Sequence, residues 1–343
     1  MSALAATISA AERAPLPDAV LRLGVSALVE GAHRKLAAAP RRDHLEAEFA
    51  RAMAEMPVAI DTEAANAQHY EVPAAFFGLV LGSRRKYSAC LYGPNVASLD
   101  SAEARALSKT CEHADLKDGQ DILELGCGWG SLSLWMAKTM PGSRITAVSN
   151  SASQRAYIED QAREKGVTNL TVITADMNHF EPQDRFDRVV SVEMFEHMSN
   201  WRALLGRIRG WLKPQGRLFI HVFSHRDSPY RFDDKDEADW IGRYFFTGGV
   251  MPSHGLIRQF GDLFKVEADW NWDGRHYQRT ALAWLANFDR NAVKIRPILS
   301  EVYGAEAELW FKRWRLFFLA TAGLFGHRGG KVWGVSHYLL APV

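Results

Sequence analysis

From Asp121 onward, short apolar runs alternate with longer stretches whose apolar residues recur at helical spacing. Asp121 to Leu125 reads as a strand and Ser131 to Thr139 as an amphipathic helix. The alternation continues through Ile145 to Val148, Ala152 to Glu164, Leu170 to Ile173, Phe186 to Val192, Trp201 to Leu212 and Gly216 to Val222. Such strand–helix repetition predicts an α/β fold with a doubly wound sheet, whose ligands lie beyond the carboxyl ends of the strands. A last strand is expected over Lys331 to Leu340, with His337 near its middle. The first hundred residues are patterned differently. A helix starting at Pro17-Asp18 would place Val20, Leu21, Val25, Leu28 and Val29 on one face, and Leu45, Phe49 and Met53 recur at four-residue spacing.

Composition narrows the partners. A net charge of +1 over 343 residues gives no electrostatic reason to expect nucleic acid. The three cysteines, Cys90, Cys111 and Cys127, are too few and wrongly spaced for a disulfide framework or a zinc site, so no metal and a reducing cytoplasm are expected. No apolar run reaches about 18 residues, and Met1 to Ala14 lacks a basic flank, so neither a membrane span nor a signal peptide is predicted. Arg34, Lys35, Arg41 and Arg42 beside the first helix would suit peripheral membrane contact. The preferred expectation is that this helix packs on its own protein or on a twin subunit in a homodimer.

The segment Glu124-Leu125-Gly126-Cys127-Gly128-Trp129-Gly130 joins the first strand to its helix. Glycines let the backbone turn sharply and approach a ligand, and the new helix begins with N–H groups that lack helical partners. A dinucleotide fingerprint would need its third glycine where Ser131 stands, and an acidic residue about 20 positions on. The second strand ends instead in Ser149-Asn150-Ser151. Glu124 at the strand end suits a ligand with an ammonium group and would repel a pyrophosphate. The E-x-G-x-G-x-G pattern resembles motif I of class I S-adenosylmethionine methyltransferases. Glu124, Ser149, Asn150, Asp176 and the segment after Val192 should converge on one crevice. Asp176 is placed to accept from an adenine amino group, or else to cap a helix.

Ser191-Val192-Glu193-Met194-Phe195-Glu196-His197-Met198 is the densest group of titratable residues beside an apolar strand. Glu193, Glu196 and His197 are candidate acid–base groups there, since burial would move their pKa values toward neutrality. A helix start with acidic residues is the bland alternative.

Over residues 16–343 the chain resembles the cyclopropane-fatty-acyl-phospholipid synthase superfamily, which includes mycolic acid methyltransferases and coclaurine-type N-methyltransferases. The resemblance rests on His69-Tyr70-Glu71-Val72-Pro73, Lys86-Tyr87-Ser88, the glycine turn, Ser149 to Gln154, Phe195 to Met198, Tyr244 to Ser253, and His276 to Thr280 with Trp284. It implies a class I, Rossmann-like, mixed seven-stranded sheet with helices on both faces, a helical N-terminal extension (1–105), and a methyltransferase domain (106–343). That domain would carry a lid insertion over about 226–255 and an aromatic-rich C-terminal cap. It implies S-adenosyl-L-methionine as donor and S-adenosyl-L-homocysteine as product, with Tyr87, Ser88, Gly126, Gly128, Ser149, Asn150, Gln154 and Asp176 at the cofactor, joined by Glu124, Gly130 and Met177.

The branches of that superfamily methylate different things. Lipid-cyclopropanating members place a cysteine directly after Tyr-Ser and use it with Glu, His and Tyr to hold a bicarbonate base. The matching positions here are Ala89, Glu196, His221 and Tyr277, so the bicarbonate site is incomplete. The lipid branch also carries glycine where this chain has Glu193, whereas coclaurine-type enzymes carry Glu. These departures point to N-methylation of a hydrophobic or aromatic small-molecule amine, with Glu193 attracting the cation and Glu196 and His197 as the base. His221 and Tyr277 complete the catalytic set. The alternatives are a methyltransferase or cyclopropane synthase acting on a lipid acyl chain, and a noncatalytic cofactor-binding regulator. Of the aromatics between Trp270 and Trp333, a few are expected to stack on a ring-bearing amine.

Overall fold

The computed structural model describes residues 12–14, 16–38, 44–60, 72–232 and 239–343. The helices α1 (Asp18–Ala37), α2 (Leu45–Ala54), α3 (Ala74–Val80) and α4 (Leu99–His113) precede the sheet. They are followed by β1 (Asp121–Leu125), α5 (Ser131–Thr139), β2 (Arg144–Ser149), α6 (Ala152–Glu164), β3 (Leu170–Thr174), β4 (Phe186–Val192), α7 (Trp201–Trp211) and β5 (Leu212–His225). Next come β6 (Tyr230–Arg231), α8 (Trp240–Tyr244), β7 (Val250–Met251), β8 (Phe264–Asp273), α9 (Arg275–Arg290), α10 (Ala292–Tyr303), α11 (Ala307–Gly326) and β9 (Trp333–Pro342).

Strands β1 to β5, β8 and β9 form a seven-stranded sheet in the order β3-β2-β1-β4-β5-β9-β8. The pairings from β3 to β5 are parallel, and β9 runs antiparallel between β5 and β8. This is the expected mixed sheet of a class I methyltransferase. Ile122, Leu123, Leu125, Val189 and Val190 are fully buried, as continuous apolar strands between two helical layers must be. Side-chain caps set several helix starts: Ser151 accepts from the Gln154 amide, and Asn200 from that of Ala203. Each such cap contributes about 1 kcal/mol.

Strand β8 was not foreseen. Its burial alternates, with Lys265, Glu267 and Asp269 turned outward, so no apolar run announces it. The boundary expected at residue 105 falls inside α4.

The N-terminal helices do not stand apart either. Val25 and Val29 of α1 pack into the same core as Trp284, Trp314 and Phe318 of the C-terminal helices. Gly323 of α11 accommodates Val25, where an added Cβ would come within 2.4 Å of Val25 Cγ1. The expected apolar face of α1 is split, because Val20 and Leu28 are exposed. No helix among the described residues is long and apolar enough to cross a membrane. Arg41, Arg42, His69 to Glu71 and most of Arg231 to Asp239 lie outside the described residues.

Candidate active site

The glycine turn sits at the carboxyl end of β1 and is tied to its neighbour strand. The amides of Gly126 and Cys127 both donate to the Val148 carbonyl, at 3.0 and 2.9 Å, so these two are not available to a ligand. Gly130 has φ +75°, and a Cβ there would lie 2.6 Å from Ile158, so this glycine lets α5 and α6 pack closely. It lines neither of the two cavities beside the turn. Gly128, at φ +51°, is different: an added Cβ would meet nothing within 4 Å, because the crevice opens in front of it.

Those two cavities meet at Gly126, Gly128, Gln154 and Glu193. Ser149, Asn150, Met177 and His197 line one, and Tyr87, Ser88 and Glu124 line the other. Asp176 lines neither; its carboxylate accepts from the Asn178 amide at 2.7 Å and closes a turn. Several buried polar groups in this crevice lack a protein partner. Ser149 donates to the Gln154 side-chain oxygen at 2.7 Å, leaving Gln154 Nε2 buried and unbonded, and Ser131 Oγ is in the same condition. Burying such groups without hydrogen bonds is unfavourable. Glu124 is 2% exposed, accepts a hydrogen bond from Ser133, and is pushed by burial up to about 8. A cofactor with an ammonium beside Glu124 and polar groups for Gln154 and Ser131 would relieve all three. The residues present therefore fit S-adenosylmethionine.

Glu193 is the centre of the other half of the crevice. It follows β4 with φ +48°, a conformation that favours glycine and costs a side-chain-bearing residue on the order of 1 kcal/mol. What holds it there is a set of donors from distant parts of the chain. Oε1 accepts from the Ala89 amide at 2.9 Å and faces His221 Nε2 at 3.1 Å, while Tyr277 donates to Oε2 at 2.7 Å. Burial pushes the Glu193 carboxyl up, and the buried Lys86 ammonium opposes that push. Ala89, His221 and Tyr277 occupy positions matching bicarbonate ligands, and here they bind the protein's own carboxylate. They leave no free donors for a separate bicarbonate.

Glu196 and His197 lie on a short 3-10 turn, Phe195–His197. Glu196 is 1% exposed, its Oε2 has no hydrogen-bond partner, and burial together with the Glu193 charge pushes its carboxyl well up. His197 stacks on Phe246 with ring centroids 5.3 Å apart. Burial lowers it to about 4, which makes it a neutral imidazole at pH 7. Burial thus favours the protonated form of both carboxyls and the neutral form of the imidazole.

Sequence reasoning passed over Lys86 as a charge, although it donates to Ser88 and to the Ala89 carbonyl beside Glu193. It also passed over His113 and gave His337 no role. Neither sits in a motif; only the fold brings them near Glu193. The aromatics expected along a substrate wall went elsewhere. Trp284, Trp314, Phe318 and Trp333 are core residues, and none of the C-terminal aromatics lines either cavity at the turn. Phe246, stacked on the cavity-lining His197, comes from the insertion instead. That insertion is pinned by the β6–β7 ribbon and by Phe245, which is buried and stacked 4.3 Å from Phe317.

Comparison with known proteins agrees with this geometry. The family model described as mycolic acid cyclopropane synthetase matches residues 59–334. An (S)-coclaurine N-methyltransferase of Thalictrum flavum subsp. glaucum is 37% identical over 290 residues, covering 83% of this chain and 80% of the relative. The cyclopropane-fatty-acyl-phospholipid synthase of Escherichia coli strain K12 is 31% identical over 271 residues, 78% of this chain and 66% of the relative. The crystal structure of a coclaurine N-methyltransferase bound to N-methylheliamine and SAH matches with a TM-score of 0.94 at 31% identity, covering 99% of each chain. With its glycine turn, its buried acidic residues and these relatives, the chain belongs to the mycolic acid cyclopropane synthetase family and is an S-adenosylmethionine-dependent methyltransferase.

Proposed function

We propose that this enzyme N-methylates a hydrophobic small-molecule amine that arrives as its ammonium ion, in a reducing cytoplasm. The observation that carries the reading is Glu193, a buried carboxylate held at positive φ at the junction of the two cavities. Strain of this kind persists where surrounding contacts impose it and function uses it. A carboxyl fixed at that point can exchange its proton for a cation, and a lipid alkene has no charge to offer it. The likeness to coclaurine N-methyltransferases supports the same branch.

An alkyl amine with a pKa near 10.4 is almost wholly protonated at pH 7, and its lone pair is then unavailable. Holding it neutral costs about 4 to 5 kcal/mol, at about 1.36 kcal/mol per pKa unit. S-Adenosylmethionine supplies the methyl group as an electrophile. The protein's tasks are to anchor the ammonium, to accept its proton and to aim the freed lone pair. Glu193 is the anchor, through a carboxylate that Ala89, His221 and Tyr277 keep fixed. Glu196, with no partner on Oε2, is the proton acceptor in its ionised form, and the burial that pushes its carboxyl up makes that carboxylate the stronger base. His197 stays neutral and shapes the pocket with Phe246. Tyr87, Ser88, Glu124, Ser149, Asn150, Gln154 and Met177 would hold the cofactor, with Gly128 giving it room, Gly126 making way for Met194 and Gly130 setting the helix behind it. Placing amine and methyl group in line supplies much of the remaining acceleration.

The test is a substrate screen with purified enzyme and labelled cofactor, offering benzylisoquinoline-like and simple aromatic amines beside phospholipids. Both N-methylation and cyclopropanation add one CH2, so the product's bonding is read as well as its mass. Amine turnover that collapses in Glu193→Gly is the expected result. Labelled lipid alone, or amine turnover that survives Glu193→Gly, would sink the reading.

A further inference from the structure

Behind Glu193 a line of three histidines runs to the end of α4. His221 Nε2 meets Glu193 Oε1 at 3.1 Å, His221 Nδ1 meets His337 Nε2 at 2.8 Å, and His337 Nδ1 meets His113 Nδ1 at 2.8 Å. Both ring nitrogens of His221 and His337 are thus used, and each imidazole has one neighbour on either side. His221 and His337 are fully buried, whereas His113 is 8% exposed on the last turn of α4. The indoles of β8 wall the line. Trp270 stacks on His113 with centroids 3.8 Å apart, and Trp272 lies 4.2 Å from His337 and 5.4 Å from His221. Other charges face it from several sides: Lys86, His197, Glu196 and Tyr277 around Glu193, and Lys109 and Glu112 beside His113. A structural imidazole needs one good partner. Two in series bonded through both nitrogens, ending on a third bonded through Nδ1, make a continuous path.

We propose that Glu193, His221, His337 and His113 form a proton relay that expels one proton to solvent at the end of α4 when a cationic ligand enters the site, and recovers one when it leaves. Only the identity of the cation rests on the amine reading above. With Glu193 protonated, its O–H donates to His221 Nε2, His221 Nδ1–H to His337 Nε2, and His337 Nδ1–H to His113 Nδ1, which leaves His113 Nε2–H as the last donor of the line, on the one ring of the three with any exposure. Each proton then moves one place along. The Glu193 O–H bond breaks as the His221 Nε2–H bond forms, and so on down the line until His113 Nε2–H gives its proton to water. Glu193 is left as a carboxylate, all three imidazoles end neutral, and every N–H now points toward Glu193. Reversal restores the first state. An ammonium thereby replaces a proton, and the buried site gains no net charge. Burial holds His221 and His337 well below the ordinary histidine range, so neither stores the proton in transit.

The test uses the whole enzyme with S-adenosylhomocysteine bound. Hydrogen–deuterium exchange of the Glu193 carboxyl is followed by infrared spectroscopy, its band assigned by loss in Glu193→Gln, in wild type and in His113→Phe, which keeps a ring on Trp270 without a nitrogen. At least tenfold slower exchange in His113→Phe is expected, with His113→Ala slowed likewise and restored by added imidazole, a rescue that a purely structural histidine would not show. Mixing with N-methylheliamine in dilute indicator buffer should release a proton rapidly from wild type and slowly from His113→Phe. Wild-type exchange rates in both variants would overturn the relay and show that the pocket mouth suffices. If N-methylheliamine and related amines fail to bind, the amine reading falls while the exchange measurement, which needs no amine, still judges the relay.

Discussion

The two halves of the crevice are assembled over very different distances along the chain. Most of the cofactor half is drawn from near neighbours: Glu124, Gly126 and Gly128 at the first turn, and Ser149, Asn150 and Gln154 at the next, on adjacent parallel strands, with Tyr87 and Ser88 joining from upstream. The substrate half brings Ala89, His221 and Tyr277 from distant parts of the chain onto the Glu193 carboxylate. The first half is set by local backbone geometry and stays so in any sequence that makes the turn. In the second, a non-glycine residue at φ +48° is kept in place only because three distant donors agree on where its carboxylate should be. Selectivity for the group that is methylated can therefore change in the second half while the first is untouched.

Removing the base from the substrate half should have the largest effect. Glu196→Gln keeps the shape of the side chain but cannot take a proton. We expect kcat for amine methylation to fall on the order of 10² to 10⁴-fold, the usual range for a lost acid–base group. The dissociation constant for S-adenosylhomocysteine, measured by calorimetry, should hardly move. A matched loss of cofactor affinity would show that the two halves are not separable.

That separation also explains what could be read in advance. The sheet, the turn and the convergence of Glu124, Ser149, Asn150 and the segment after Val192 follow from spacing, because the elements that carry them are consecutive and their apolar periodicity is strong, whereas Tyr87, Ser88, Gln154 and Met177 come only from the family resemblance. Glu193, Glu196 and His197 were visible as a titratable cluster on one strand end. Glu193 is assigned to the cation there and Glu196 is paired with His197 as the base; only burial separates that pair, since His197 is pushed down and the Glu196 carboxyl is pushed up. Strand β8 was missed because its outward residues are charged, and with it the indoles that wall the histidine line. Most aromatics of the C-terminal third are the core shared with α1 and α3, as expected, but which few would reach a substrate is not legible, because no periodicity tells which protein surface an aromatic face will meet.

The cofactor half offers a smaller effect with a definite sign. The folded-state pKa of Glu124, about 8, lies above its ordinary carboxyl value, 4.5. Its stabilising contribution is therefore complete below about 4.5 and is lost as pH rises through about 8, at up to ~1.4 kcal/mol per pH unit. Compared with Glu124→Gln, the wild type should lose thermal stability between pH 5 and pH 8. Saturating S-adenosylhomocysteine, whose ammonium favours the ionised carboxylate, should flatten the difference. An equal slope in both proteins, followed by differential scanning fluorimetry, would remove Glu124 as a cation site.

The smallest change probes how firmly the distant donors fix Glu193. Tyr277→Phe deletes one hydrogen bond, and the ring keeps its stack on Phe325 at 4.3 Å, so packing is little altered. Losing a donor of about 1 to 1.5 kcal/mol predicts a roughly fivefold to thirteenfold drop in kcat/KM for the amine. Because the Tyr277 hydroxyl steadies the ionised form, its removal should also move the acidic limb of the kcat/KM profile to higher pH, since Glu193 then holds its proton more tightly. A loss of rate with the limb in place would mean that Tyr277 serves only to pack the pocket, and that Ala89 and His221 suffice to hold the carboxylate against its backbone strain.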